Sequence, residues 1–471
     1  MSRAARDPWL LLGSLVFLAV ALLVRVFCAQ GELWLDEIWS LHLVDEIRRG
    51  EVLPSIATDN NHYLNTLYLW LAGPDRPPLI IRAFSILLGT AGVAMAGWLQ
   101  RERGTGTVIL TMGLFALAYP MVNAGSEARG YAGMMLCALI SIALTERALE
   151  QRSARLGLWL GVSNVAGVLF QPLMAGLIGA LGLWTLWTAW RERRGLRATY
   201  EIARDLFAWT IRLLIPVVLV VGAAVHFGSG YVLGGVSSFS AARMLEGVSR
   251  LFRHLLGLPD AVPEAAVLAI VLALTALAVA LNRGDRRTAL YLVVLFAMPA
   301  AMAAAHLPNT EIPRYYLLPG LAFLLLLGDL YGSLERRGVA LGAVAGLAVT
   351  AILIGNSLEI EKLRRVGRGD VVGMLTRVLQ EGPGPITSNT ELRDRPVINY
   401  YLARLGIGAA FVDYADVCKT HPRWLLTSDL HADIPDDVTI GAPGCALAFR
   451  KEAHYDSWGL SGFPWTLYRA E

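Results

Sequence analysis

One device recurs along this chain: an apolar run long enough to cross a bilayer. A helix needs about 20 apolar residues for that. Such runs stand at about 9–29, 79–100, 107–123, 131–150, 155–170, 172–190, 206–226, 262–282, 288–306, 314–333 and 338–357, eleven in all. The runs at 155–170 and 172–190 are divided only by Phe170-Gln171-Pro172. Of the 471 residues, 55% are hydrophobic and only 17% charged, against roughly 25% charged in soluble domains. A water-soluble core cannot absorb that much apolar surface. The sequence therefore predicts a polytopic α-helical membrane protein.

The basic N-terminus imitates a signal peptide. Its apolar core runs to about 17 residues and no small-residue cleavage site precedes Gly31, so the segment reads as a retained anchor. Arginines set the orientation. Arg101, Arg103, Arg152, Arg155, the stretches 191–197 and 282–287, and Arg336 and Arg337 all fall at alternate exits. Isolated arginines such as Arg129 and Arg314 fall at the others. This predicts a cytoplasmic N-terminus, and an odd number of spans then puts residues 358–471 outside; the arginine-rich composition, with the cysteine pair in that region, favours a bacterial inner membrane.

Three segments stand out from the runs. Residues 30–78 carry Ile38, Leu41, Val44 and Ile47 at helical spacing, which predicts amphipathic helices on the outer surface. Residues 227–262 form a second outward loop that opens on a Gly/Ser-rich stretch and reads as a connector or a mobile cover. Residues 358–471 read as a small extracytoplasmic α/β domain: an amphipathic helix over 358–381, a turn and strand at "GPGPITSN", a helix stopped by Gly406, and strands at "AAFVDY" and "RWLLTSD". The membrane domain is accordingly 1–357.

The formal net charge of +3 gives no reason to expect nucleic acid as a partner. Lysine occurs only at 362, 419 and 451, so guanidinium is the fixed cation of the membrane part, and it suits phosphate. Cys28 and Cys137 lie in apolar segments. Cys418 and Cys445 form a pair in the polar C-terminal region, where an oxidising compartment would join them. His431 among the aspartates of 428–437 reads as a solvated loop, and no zinc spacing, P-loop or dinucleotide fingerprint occurs.

Polar residues gather at the outward ends of the runs. Asp36 and Glu37 follow the first, flanked by Trp34 and Trp39, and Asn60, Asn61 and His62 follow on. Arg82 opens the second run; Glu127, Arg129 and Tyr131 precede the fourth; Gln171 follows the fifth; Glu311, Arg314, Tyr315 and Tyr316 enter the tenth. Carboxylates, arginines and aromatics at headgroup depth call for an anionic, amphiphilic substrate.

"LWLDE", "EARGYA" and "PRYYLLPGLAFLLLL" resemble the GT-C membrane glycosyltransferases, nearest the protein mannosyltransferase and lipid A aminoarabinose transferase group. The resemblance implies a donor sugar on a polyprenyl monophosphate and a lipid, glycan or protein acceptor at the envelope surface. The chain departs from it at "NHYLNT", where many relatives have His-Pro-Pro.

The chemistry of the residues agrees. An acceptor hydroxyl or amine attacking an anomeric carbon needs a base, and a carboxylate in reach supplies about 10²–10⁴ in rate. A phosphate monoester leaving group needs positive charge rather than an acid. The expectation is an inverting single displacement with Asp36 as base, Glu37 beside it as orienting group, and Arg82, Arg129 and Arg314 on the phosphate. His62, Asn61, Tyr131, Tyr315 and Glu127 are candidate substrate contacts. No cofactor is required; a divalent ion at Asp36 and Glu37 is an option. Against these stand plainer roles: Asp36 as a helix cap, Glu37 and the arginines in structural ion pairs or on lipid headgroups, the tyrosines in the aromatic belt, and His62 in packing. The alternative functions are a flippase or transporter of lipid-linked saccharide, which would carry charge at mid-membrane in repeated halves, and a polymerase or ligase acting on diphosphate-linked oligosaccharide.

Overall fold

The computed structural model describes residues 8–52, 56–58, 60–151, 153–192, 195–227, 237–428, 434–442 and 445–471. The Gly/Ser-rich opening of the 227–262 loop and His431 lie outside the described residues. The chain divides into two compact units. One comprises Met1–Phe27 with Val44–Ile360, the other Cys28–Leu43 with Glu361–Glu471.

The first unit is a bundle of apolar helices. Eight described helices are long and apolar enough to span a membrane: those beginning at Pro8, Pro78, Tyr131, Leu196, Glu264, Arg286, Pro313 and Val339. The expected run at 107–123 is a ninth only as a bent pair, Thr105–Leu117 and Tyr119–Gly125, set 60° apart. The runs at 155–170 and 172–190 form the helices Ala154–Phe170 and Met174–Arg191, which fall short of that standard of length and apolarity. Burial sorts the bundle. Of the most apolar stretch of Pro313–Arg337, 89% lies inside the protein, against 11% for Pro8–Cys28 and for Leu196–Phe227. The tenth run is thus the central pillar, and its leucines Leu321 to Leu327 pack into one core with Met134, Leu177, Trp184 and Phe252.

The bend at Leu117–Tyr119 has a local cause and two remote supports. Pro120 has no N–H to give, and breaking the ladder strands carbonyls that lipid cannot satisfy. Arg25, fully buried in the first helix, donates to Phe115 O (3.2 Å), Ala116 O (3.3 Å) and Met121 O (3.4 Å), and to Ala21 O in its own helix (3.1 Å). Asn356 Oδ1 accepts the Tyr119 N–H at 2.6 Å. Gly89 and Gly125 make room, since a Cβ on either would stand 2.8 or 2.6 Å from Arg25 Nε.

At the arginine-rich ends, carboxylates from several helices meet the guanidiniums. Arg103 pairs with Asp285 (2.5 Å) and with the buried Asp329 (3.1 Å), and Arg287 with Glu146 (2.6 Å). The 227–262 loop, expected as a connector or cover, contains the helix Ala241–Leu255. Gly247, Leu251, Phe252 and Leu255 make up its buried face.

The second unit holds a five-stranded sheet. The strands are β1 (Ile386–Thr387), β2 (Trp424–Thr427), β3 (Asp437–Ala442), β4 (Cys445–Tyr455) and β5 (Trp465–Ala470), in the order β1-β2-β5-β4-β3. β1 and β2 are parallel and the other pairs antiparallel. "RWLLTSD" is β2, and Gly406 (φ 64°) ends the helix Glu391–Leu405 in the left-handed conformation that glycine permits. "AAFVDY" is not a strand: only Phe411 bridges Ile386 before Asp413 leads into a turn. The helix expected over 358–381 is two helices, Val339–Val366 and Val371–Glu381. Gly367 and Gly369, both at positive φ, separate them, and Asp370 accepts the Gly373 N–H at 2.7 Å. Cys418 and Cys445 are joined as a disulfide with their Cα atoms 6.0 Å apart.

Candidate functional site

Within the first unit the polar residues converge on His62. The segment 60–62 leads into the helix Tyr63–Ala72, whose first turn is closed by the Thr66 N–H on His62 O (2.8 Å) and by Thr66 Oγ1 on Asn61 Oδ1 (2.8 Å). The turn Ser126–Gly130 lies across from it. Asn65 Nδ2 donates to Ala128 O at 2.7 Å, Ser85 Oγ donates to Arg129 O at 3.0 Å, and Asn123 Nδ2 donates to Glu127 Oε1 at 2.7 Å. These bonds spend the turn's own polar groups and fix where Arg129 begins. Its Nη1 donates to Asn60 Oδ1, and its guanidinium lies 5.7 Å from the Tyr131 ring.

His62 is buried. Its ring lies 5.6 Å from that of Tyr131, and Nδ1 is 2.9 Å from Phe170 O. Burial, and after it the charges of Arg129 and Arg314, hold the imidazole well below its usual range, the Phe170 carbonyl opposing them. Arg314 stands on the short 3-10 turn Pro313–Tyr316 beside Tyr315. Arg82 is fully buried as the fifth residue of the helix Pro78–Leu99, three residues before Ser85. Arg129 thus bonds Asn60 and lies beside the Tyr131 ring that His62 also faces, with Arg129 and Arg314 both in electrostatic reach of His62. Asn61 and Glu127 serve the local backbone and side-chain bonds just described.

Asp36 and Glu37 belong to the second unit. The helix Leu35–Arg48 starts after Trp34, whose carbonyl accepts the N–H of Glu37 and of Ile38 at 3.0 Å. Glu37 Oε2 reaches back to the Trp34 N–H at 3.2 Å, the acidic half of a capping box. The cap is therefore Trp34 with Glu37, and Asp36 is the second helical residue, buried. Glu37, expected to orient chemistry, also holds the helix start through this bond. Among the described residues no three His, Cys, Asp or Glu side chains converge as a metal site.

Tyr401 Oη accepts the Leu33 N–H (2.8 Å) and donates to Leu33 O (2.9 Å), and the Trp34 ring lies tilted against that of Phe463, centroids 6.4 Å apart. Glu32 accepts the N–H groups of Val371 (2.9 Å) and Val372 (3.0 Å). Arg368 donates to Cys28 O at 3.1 Å. These tethers explain why 28–43 groups with the C-terminal region rather than with the membrane runs.

The sequence matches no family model and no curated protein. Among solved structures, the chain is similar to ArnT from Cupriavidus metallidurans bound to undecaprenyl phosphate, with a TM-score of 0.52 and 13% identity over 96% of this chain and 97% of that one. The same protein in the apo state matches at a TM-score of 0.43 and 14% identity. The chain shares that protein's fold. On that fold the sequence reading had marked His62, Arg129, Tyr131 and Arg314. It missed Ser85, Asn65 and the Phe170 carbonyl, which carry no motif because each acts through a partner distant in sequence. Gly130, inside "EARGYA", carries no side chain to mark it, yet a Cβ there would stand 1.8 Å from Phe170 O.

Proposed function

We propose that the protein is a membrane glycosyltransferase that moves a sugar from a polyprenyl-phosphate donor to an envelope acceptor. The observation that carries the proposal is the cluster of Arg129 and Arg314 about a buried, neutral His62, on a fold shared with a protein solved with undecaprenyl phosphate. Fixed guanidiniums in a buried setting favour a phosphate anion and its build-up of charge as it leaves.

In this reading the acceptor O–H or N–H attacks the anomeric carbon, the carbon–oxygen bond to phosphate breaks, and the polyprenyl phosphate departs. Arg129, Arg314 and Arg82 hold the phosphate, and Asp36 takes the acceptor's proton. A single displacement inverts the anomeric configuration. The scheme uses no cofactor, and chelation should leave it unaffected. In this reading the N-terminus is cytoplasmic and residues 358–471 lie outside, in a bacterial inner membrane.

The test is turnover. Wild type and Asp36→Asn are incubated with a panel of undecaprenyl-phosphate sugars and an envelope extract, and mass spectrometry follows donor loss and acceptor gain. Asparagine keeps the shape of the side chain but cannot act as base. Donor consumption by wild type and an inert, folded variant support the reading; equal turnover by both removes Asp36 from the mechanism. Translocation of intact donor across proteoliposomes without transfer would replace the enzyme by a transporter.

A further inference from the structure

The tautomer of His62 is fixed by its surroundings. Its Nδ1 lies 2.9 Å from the Phe170 carbonyl oxygen, which can only accept, so Nδ1 carries the hydrogen. A neutral ring then presents a lone pair at Nε2. That atom is buried and, among the described residues, has no hydrogen-bond partner. The ring cannot rotate to hide it, because Gly130 and Phe170 close the Nδ1 side and Tyr131 stands beside the ring. A buried acceptor left without a donor is destabilising, so the site is built for something that donates.

We propose that His62 Nε2 accepts a hydrogen bond from a hydroxyl of the donor sugar and so selects which sugar the enzyme binds. The inference rests on the polyprenyl-phosphate reading above and goes further. A phosphodiester anion has no O–H to give, and a polyprenyl chain has none either. Of the donor's parts only the sugar can fill the position, and it is attached directly to the phosphate that the neighbouring Arg129 and Arg314 attract. Neutrality serves the same end: an imidazolium would donate from Nε2 and repel the guanidiniums.

The experiment uses the full chain in detergent and measures Kd for undecaprenyl phosphate and for undecaprenyl phosphate carrying mannose, glucose or arabinose. Deoxy analogues of the tightest of these lack one hydroxyl each. Two variants separate the two ring nitrogens: His62→Asn can still donate to the Phe170 carbonyl but has no atom at the Nε2 position, whereas His62→Gln restores an acceptor there. Wild type should bind one sugar lipid more tightly than the bare lipid, and one deoxy position should lose about 10-fold, since a site built around a substrate hydroxyl rejects the analogue lacking it. His62→Asn should lose about 10-fold for that sugar lipid, leave undecaprenyl phosphate unchanged, and stop discriminating at that position; His62→Gln should recover part of the loss. The proposal is overturned if wild type tolerates every deoxy analogue, or if His62→Asn weakens bare and sugar-bearing lipid equally. Failure of wild type to bind even undecaprenyl phosphate would sink the polyprenyl-phosphate reading, and this inference with it.

Discussion

Gly130→Ala is the substitution that most directly tests the geometry around His62. The added methyl would stand 1.8 Å from Phe170 O, 2.7 Å from Phe170 C and 3.0 Å from His62 Nδ1. Ordinary contact is about 3.5 Å or slightly less for oxygen, so the carbonyl must retreat by more than 1 Å on the order-of-magnitude scale of such contacts. A retreat of that size breaks the 2.9 Å bond to Nδ1. Forcing a methyl into a packed interior costs about 1–3 kcal/mol, and orphaning a buried N–H about 1–3 more. The sum, about 2–6 kcal/mol, is large against ordinary stability margins. The assay is the thermal midpoint in detergent at one scan rate for wild type, Gly130→Ala, His62→Ala and the double variant. Because both single changes remove the same hydrogen bond, the double should be less damaging than their sum by about 1–2 kcal/mol. A Gly130→Ala protein as stable as wild type, with additive behaviour in the cycle, refutes the placement of the Phe170 carbonyl against His62.

Four further outcomes are expected. Burial, with the Asp370 carboxylate adding to it and two backbone N–H bonds opposing, pushes Glu32 from 4.5 up to about 7. The native chain therefore holds a proton that the unfolded one has lost, and stability falls as pH rises from 4.5 through about 7; Glu32→Gln should flatten the midpoint-versus-pH curve over that window. Arg25→Leu leaves three carbonyls at the helix bend without their donor and should cost at least about 3 kcal/mol, with Arg25→Lys intermediate, read as yield and midpoint of the purified protein. Replacing Cys418 and Cys445 by serine opens a loop of 27 residues, worth about 3.5 kcal/mol by loop-closure entropy, and should raise the protease sensitivity of the C-terminal region. Undecaprenyl phosphate sugar should bind with the same Kd at about pH 5.5 and pH 8, because His62 stays neutral throughout; a several-fold gain at low pH would show that it titrates.

The bundle was legible because bilayers demand long apolar runs, and every expected run is helical. The bend at Leu117–Tyr119 was hidden inside one of them. Hydropathy does not change there; Pro120 is the sole local sign, and the stabilising groups come from residues 25 and 356. Arg25 drew no notice for the same reason, since its partners are backbone carbonyls about 90 residues away. In the C-terminal region β2 and the Gly406 stop were readable, but β3, β4 and β5 were not. Their alternation is blurred by Arg450, Lys451 and Glu452 and by a register shift between Lys451 and Ala453. The polar residues of the site stood out in the sequence individually. Which of them carries a free lone pair and which is spent on the backbone depends on partners such as the Phe170 carbonyl, and no spacing rule supplies those.

Asp36 and Glu37 illustrate the distinction. Adjacent residues on a helix point about 100° apart, so the two neighbouring carboxylates leave the helix in different directions. Glu37 turns back to the Trp34 N–H and closes the helix start. Tyr401 grips both backbone groups of Leu33, and Glu32 takes the N–H groups of Val371 and Val372. The backbone that bears Asp36 is thereby held by other side chains. A carboxylate that capped its own helix would have to surrender that bond to receive a proton, and the helix would loosen as it did so. A base needs the opposite: a rigid mounting that does not draw on its own lone pairs. Under the proposed mechanism, therefore, proton transfer is asked of Asp36 and not of Glu37, whose carboxylate closes the helix start, and Asp36→Asn is the variant that tests the assignment.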